Sequence, residues 1–234
     1  MPYSHTHRVL VALDCIIFGF DGEGLNLLLI KRNFEPESGK WSLMGGFLND
    51  GESLEEAAHR ILYDLTGLDN NYLEQFQTFG AIGRDPVERT ISVAYYSLVN
   101  IEDQDVNAIR SHNASWISLT KKPRLIFDHD LMVQEALKRL RTKAALNPIG
   151  FELLPEKFTI PQLQKLYEAI YDTRLDRRNF SRKILSTRLL VGTGEKDMSS
   201  QTKKGQLYTL DAHEYARQQK GNYSFMPELI MADF

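Results

Sequence analysis

Apolar and β-branched residues run almost unbroken from Val9 to Phe20, the pattern of a buried strand. Asp21-Gly22-Glu23-Gly24 is a turn, and Leu25 to Ile30 predicts a second strand, able to form a hairpin with the first. Phe34 to Lys40, with Pro36 and Gly39, predicts a loop, and Trp41-Ser42-Leu43-Met44 leads into a glycine-rich turn, Gly45 to Gly51. The period then changes. Leu54, Ala57, Ala58, Ile61, Leu62 and Leu65 recur at helical spacing and make one apolar face. Ser53 and Glu56 have the spacing of a capping box, and Gly67 supplies the stop. Phe76 to Ile82 and Thr90 to Val99 predict two strands around the polar turn Gly83 to Arg89. Ala114 to Leu119, holding Trp116, predicts a short strand. A helix opens at Phe127-Asp128-His129-Asp130 and runs to about Arg141, with Leu131, Met132, Ala136, Leu137 and Leu140 on its apolar face. This alternation of strands and helices is an α/β pattern.

Asn147-Pro148-Ile149-Gly150 is turn chemistry, which places a domain boundary near residues 143–150. Beyond it Thr159 and Gln162 repeat the capping-box spacing, with Pro161 in the first turn, where a missing N–H costs little. Leu163, Leu166, Tyr167 and Ile170 give that helix its apolar face. The short connection Tyr171 to Leu175 leads to a second helix, from about Asp176 to Thr187. Leu189 to Thr193 and Gln206 to Leu210 predict two strands, joined by a polar loop, Gly194 to Gly205, that carries Lys196, Lys203 and Lys204. Two close helices followed by a hairpin make a winged helix-turn-helix. On the second of these helices Phe180 and Ile184 face inward, and Arg178, Asn179, Arg182, Lys183 and Ser186 gather on the other side.

Charge sharpens the division. The net charge is −3, but residues 1–150 hold 15 basic and 20 acidic side chains, and residues 151–221 hold 13 basic and 9 acidic. The tail adds Glu228 and Asp233. An acidic front and a basic back suggest different partners, a polyanion for the second. From Arg174 to Arg188 six side chains are basic and one, Asp176, is acidic. Arg can pair bidentately with guanine and Asn with adenine, and Lys at the edges and in the wing suits phosphates. A merely soluble basic helix is the bland alternative. The DNA-contacting set expected from this pattern is Arg174, Arg177, Arg178, Asn179, Arg182, Lys183, Lys203 and Lys204.

At 42% apolar and 25% charged residues the composition is that of a soluble globular protein. No apolar run is long enough for a membrane span, and Met1 to Val9 lacks a signal-peptide pattern. A cytoplasmic protein is expected. The single Cys15 lies in the first apolar run, where a buried structural thiol is expected. None of the six histidines has a metal-ligand partner at a suitable spacing.

The glycine-rich turn and its helix also resemble the signature of the Nudix hydrolases. Gly46, Glu52, Arg60, Leu62, Gly67 and Leu68 stand at its positions. The three acidic positions after the arginine read Ile61, Asp64 and Leu65. In that family these glutamates hold a divalent metal, and neither Ile61 nor Leu65 offers the hard oxygen that magnesium needs. Gly83-Arg84-Asp85-Pro86, Ser92 to Tyr96, and Phe127-Asp128-His129 resemble the ADP-ribose pyrophosphatase side of the family. The segment Leu175 to Leu185 resembles the recognition helix of the Nudix-related transcriptional regulators, the NrtR-like family, which join a Nudix-like domain to a C-terminal winged helix.

That resemblance implies a Nudix α/β/α sandwich over residues 1–146 that senses an effector, a winged-helix DNA-binding domain over 150–222, and a tail over 223–234. It further implies a homodimeric repressor of a double-stranded DNA operator, with a small effector: ADP-ribose, or a sugar such as arabinose in the sugar-catabolism branch. For the effector site the candidates are Arg32, Arg84 and Arg89 at strand ends and turns, Trp41, Phe47 and Tyr95 as stacking surfaces, and Glu52. Glu52 is expected to bond Arg60 or the turn backbone. No catalytic residue, metal ligand or cofactor is expected. The alternative is a pyrophosphohydrolase acting on ADP-ribose or another nucleoside diphosphate derivative, with Mg²⁺ held by Glu52, Asp64 and Glu55 or Glu56. A protein-binding scaffold is a third reading, and it leaves the charge asymmetry unexplained.

Overall fold

The computed structural model describes residues 8–68, 72–104, 106–146, 149–198 and 205–218. The opening apolar run is strand β1 (Leu10–Phe20), buried from Leu13 onward. It lies inside a seven-stranded sheet with β2 (Leu25–Lys31), β3 (Trp41–Ser42), β4 (Met44–Phe47), β5 (Glu74–Phe79), β6 (Thr90–Asn100) and β7 (Ala114–Ser118). The main path is β3-β2-β1-β6-β5, with β4 antiparallel to β1 and β7 antiparallel to β2. A strand covered on both faces reads as a continuous apolar run rather than an alternation, which is how β1 reads.

Helix α1 (Leu54–Thr66) has both halves of its capping box. Ser53 Oγ accepts from the Glu56 N–H at 3.2 Å, and Glu56 Oε2 accepts from the Ser53 N–H at 2.8 Å. Ala57, Ala58, Ile61 and Leu62 are its buried face, and Gly67 closes it in a left-handed conformation. Helix α2 (Val106–Ser111) and helix α3 (His129–Leu146) follow; α3 buries Met132, Val133, Ala136, Leu140 and Ala144. Cys15 is fully buried, its thiol pushed up by desolvation and directed at the Ala58 carbonyl at 3.8 Å. It is a structural thiol.

β5 ends at Phe79, short of the Ile82 that the apolar pattern predicts. The carbonyls of Gly80 and Ala81 are taken by the Arg89 guanidinium at 3.0 and 3.1 Å, which turns the chain out of the ladder. Ile82 is then 93% exposed.

Farther along, α4 (Ile160–Tyr171) starts on a second complete capping box, Thr159 with Gln162. Then come α5 (Arg177–Ser186), β8 (Leu190–Lys196), β9 (Gln206–Leu210) and α6 (Ala212–Gln218). Leu163, Leu166, Tyr167 and Ile170 of α4 are buried, as are Phe180 and Ile184 of α5, and the Tyr167 and Phe180 rings lie 5.6 Å apart. The Tyr167 hydroxyl is satisfied twice at one residue, donating to Ile149 O and accepting from Ile149 N–H. β8 runs past the expected Thr193 as far as Lys196, which pairs with Gln206 after a bulge. Neither α2 nor α6 was foreseen; six and seven residues are too few for a helical period to show.

The chain divides into two compact units: residues within 1–18, 26–97 and 104–136, and residues within 19–25, 98–103 and 137–234. The second unit thus takes in the end of α3, where Arg141 Nε donates to Ile170 O at 2.7 Å and the Tyr171 hydroxyl donates to Arg141 O at 2.8 Å. The tail 223–234 lies outside the described residues. Among the described residues no helix is long and apolar enough to cross a membrane.

Candidate functional site

α1 and the turn before it form the first place to look for chemistry. Glu52 is held from two sides. Arg60 Nε and Nη2 fork onto its two oxygens at 2.9 and 2.7 Å, and the Asn49 N–H donates to it at 2.7 Å. These bonds favour the charged form and bring its pKa down to about 2. Arg60 also donates to the Phe47 carbonyl. A divalent metal would have to find its ligands here. Ile61 is 2% exposed and packed beneath Gly46, whereas Glu56 is engaged by Ser53. Asp64 is exposed and lies 3.8 Å from Arg60. Among the described residues no group of three His, Cys, Asp or Glu side chains gathers in metal-binding geometry. The donor set does not fit a magnesium ion.

A second cluster is built inside the sheet. Asp14 is 4% exposed in the middle of β1. Its Oδ2 accepts from Ser92 Oγ at 2.6 Å and stands 3.6 Å from Arg84, and its Oδ1 stands 3.6 Å from His129 Nε2. Gly45 of β4 is opposite, where a Cβ would come within 2.3 Å of Asp14 Oδ1. A side chain at Gly45 would force that carboxylate to shift. Arg84, its side chain 4% exposed, forks onto Asp128 at 2.9 and 2.8 Å. His129 Nδ1 accepts the Leu43 N–H at 3.2 Å, so the ring proton belongs on Nε2, the side of Asp14. Burial is the main cause that holds His129 below its ordinary pKa, opposed by Asp14 and Asp128. The cluster holds charge in a region from which water is largely excluded, which requires partners for every group.

Arg32 is the half-buried extension of this cluster. Its guanidinium lies 3.8 Å from the Phe34 ring centroid and 5.7 Å from that of Phe127, and its Nε donates to Pro36 O at 2.6 Å. Phe127, edge-on to His129, is held at a φ of 49°, a left-handed conformation that bulky residues seldom adopt and that clusters at functional sites. Phe34 is 57% exposed. The result is an arginine between two rings, with a face open to solvent: a surface suited to an anionic or aromatic ligand.

Of the residues expected at an effector site, Arg32, Arg84 and Trp41 belong to this region; Trp41 pairs with Lys31 in β3–β2 and has the Lys31 ammonium 5.2 Å from its ring. Glu52 and Phe47 meet at Arg60 instead. Tyr95 is 2% exposed, with its hydroxyl on Gln75, and Arg89 holds the Gly80–Ala81 carbonyls. Asp14 and Phe34 were not foreseen; Phe127, Asp128 and His129 entered only through their resemblance to the ADP-ribose pyrophosphatase side of the family, with His129 expected at a helix start. The signal for Asp14 was present: a carboxylate inside an otherwise apolar strand must have buried partners.

α5 is the third site. Its N-cap is Asp176, whose carboxylate accepts from the Asn179 N–H at 2.8 Å. Phe180 and Ile184 fix which side faces the core. Arg174, Arg177, Arg178, Asn179 and Arg182 are exposed, and Lys183 is half-buried. Arg182 bonds Asn179. Among the described residues no ion pair engages Arg174, Arg177, Arg178, Arg182 or Lys183. Lys203 and Lys204 lie outside the described residues.

Residues 9–135 match the family model of the NUDIX domain, and residues 150–210 match that of the NrtR DNA-binding winged helix domain. The chain belongs to the NrtR-like family. It is 32% identical over 210 residues to the ADPR responsive transcriptional repressor NtrR of Acinetobacter baylyi, covering 88% of this chain and 84% of that one. The crystal structure of Shewanella oneidensis NrtR complexed with a 27mer DNA superposes with a TM-score of 0.76 at 28% identity, over 92% of this chain and 97% of that one. The NUDIX domain of S. oneidensis NrtR complexed with ADP ribose matches at a TM-score of 0.52 and 27% identity, over 60% of this chain and 94% of that domain. As a member of this family the chain is a Nudix fold joined to a winged helix.

Proposed function

We propose that this protein is an ADP-ribose-responsive transcriptional repressor that acts as a cytoplasmic homodimer, with a Nudix domain that binds its effector and does not hydrolyse it. The observation that carries the DNA-binding part is α5: a capped helix anchored by Phe180 and Ile184, with an outward row of arginines that no acid of the described chain neutralises. A helix of that kind suits the major groove, and paired half-sites call for a dimer. The relatives add the effector: the A. baylyi protein is named for its response to ADPR, and the S. oneidensis NUDIX domain was crystallised with ADP ribose. No such support accompanies arabinose or sugar catabolism. The Arg32–Phe34–Phe127 surface, with Trp41 beside it, offers a cation for a diphosphate and rings for a base. Binding without cleavage follows from Ile61 and Leu65, which leave a metal no oxygen, and from Glu52, which Arg60 holds. A full switch between bound and released DNA needs a differential affinity of about 5.5 kcal/mol.

The test is to titrate ADP-ribose, and separately arabinose, into the protein–operator complex with Mg²⁺ present, following DNA release by fluorescence anisotropy and the ligand by chromatography. Release with ADP-ribose recovered intact is expected. Turnover at ordinary enzyme rates, about 1–10³ s⁻¹, would replace this reading with the pyrophosphohydrolase. Release by arabinose alone would move the effector to the sugar branch.

A further inference from the structure

Two residues on the outward face of α5 are bonded to each other. Arg182 Nη2 donates to Asn179 Oδ1 at 2.9 Å. They are three apart on one helix, so they are neighbours on its surface. A guanidinium has donors only, so the amide atom turned toward it is the oxygen. The pair stands on a fixed base. The Asp176 carboxylate caps the Asn179 N–H at 2.8 Å, and Phe180, next in sequence, is buried against Tyr167.

This geometry changes what each side chain can read. Asn recognises adenine by accepting from N6 while donating to N7, which needs Oδ1 and Nδ2 presented together to one base. Here Oδ1 faces Arg182. Arg182 Nη2 carries a second N–H, which together with its neighbour on the same guanidinium edge still offers the bidentate pair that guanine O6 and N7 accept. A long side chain loses rotamer freedom when it binds, and a tether that holds it beforehand removes part of that loss. We infer that Arg182 reads a guanine in the operator and that Asn179 is its positioning residue. The two side chains therefore report on one base pair, where independent readers would report on two. This inference rests on the DNA-binding reading above.

The experiment is selection from a library randomised around the operator, using full-length wild type, Asn179→Ala, Arg182→Ala, Asn179→Asp and the double alanine variant, with circular dichroism to confirm folding. Wild type enriches a defined site, and Arg182→Ala loses its preference at one guanine. Asn179→Ala weakens binding by about five- to tenfold and relaxes that same guanine, leaving other positions unchanged. The double variant discriminates no worse than Arg182→Ala, and Asn179→Asp, which still accepts from Arg182, keeps the guanine preference. If Asn179→Ala relaxes a different base pair, or if the two losses multiply in the double variant, the pair is not a unit and the inference falls. If wild type enriches no site at all, the DNA-binding reading fails and takes this inference with it.

Discussion

The candidate-site arginines of the Nudix unit and those of α5 have opposite situations. Arg60 is forked onto Glu52, Arg84 onto Asp128, and Arg89 onto the Gly80 and Ala81 carbonyls. Each holds the fold together. On α5, Arg177 and Arg178 stand exposed, with no acid among the described residues to answer them, and Arg182 bonds a neutral amide on the same face. The difference teaches where to look for partners. A cation satisfied inside the protein is structural, and a row of cations left in solvent is directed at a polyanion. Arg32 is the intermediate case, stacked on Phe34 and half-open, which is why it is the Nudix-unit arginine most suited to a ligand.

The contrast can be broken or sharpened by substitution. The largest effect is expected from Arg84→Met. It leaves the buried Asp14 carboxylate and the half-buried Asp128 carboxylate without their shared cation, and it should cost about 3–5 kcal/mol of stability in urea unfolding. A loss under about 1 kcal/mol would show that Arg84 is not structural. Next is Ile61→Ala, which removes a side chain packed beneath Gly46 and should cost about 2–5 kcal/mol. An unchanged midpoint would undo the account of Ile61 as core in place of ligand. On α5 the pattern inverts. Arg178→Ala should leave stability within about 0.5 kcal/mol, while weakening operator binding by about 1–3 kcal/mol, measured by anisotropy. Equal binding by the variant and the wild type would remove the recognition-helix assignment.

The smallest effect concerns pH. Glu52 is held down to about 2 in the fold, from an ordinary value near 4.5. The unfolded chain therefore takes up the proton first as pH falls. The stabilisation by Glu52 is fully present above pH 4.5 and is lost progressively between about 4.5 and 2. Glu52→Gln should flatten the stability slope in that window and leave it unchanged near neutrality. An identical acid limb in both proteins would mean that Arg60 does not hold Glu52 in solution.

Much of the fold was legible in the chain because its cues are local. The two capping boxes, Ser53 with Glu56 and Thr159 with Gln162, formed as their spacing implies. The period of the apolar residues separated β1 from α1 and turned Phe180 and Ile184 of α5 inward. The Glu52–Arg60 pair was also readable, since both residues belong to one short stretch. What was not legible is assembled from afar. Asp14 meets Ser92 across β1 and β6, 78 residues apart, and Arg84 meets Asp128 across 44. No spacing along the chain announces such pairs, and only the misfit of Asp14 in its strand hints at them. The end of β5 was missed for the same reason, because Arg89 draws the Gly80 and Ala81 carbonyls out of register. Arg89 and Tyr95 look like ligand-binding residues by type, yet the fold uses both elsewhere.

The central claim is that the open cations of α5 read a defined DNA sequence. Its most direct test is selection of fragmented genomic DNA by the purified full-length protein at about 0.15 M salt, which suppresses much of the nonspecific phosphate attraction. The account predicts an enriched palindrome whose recovery falls when ADP-ribose is added. Binding without enrichment, fading uniformly as salt rises, would contradict it.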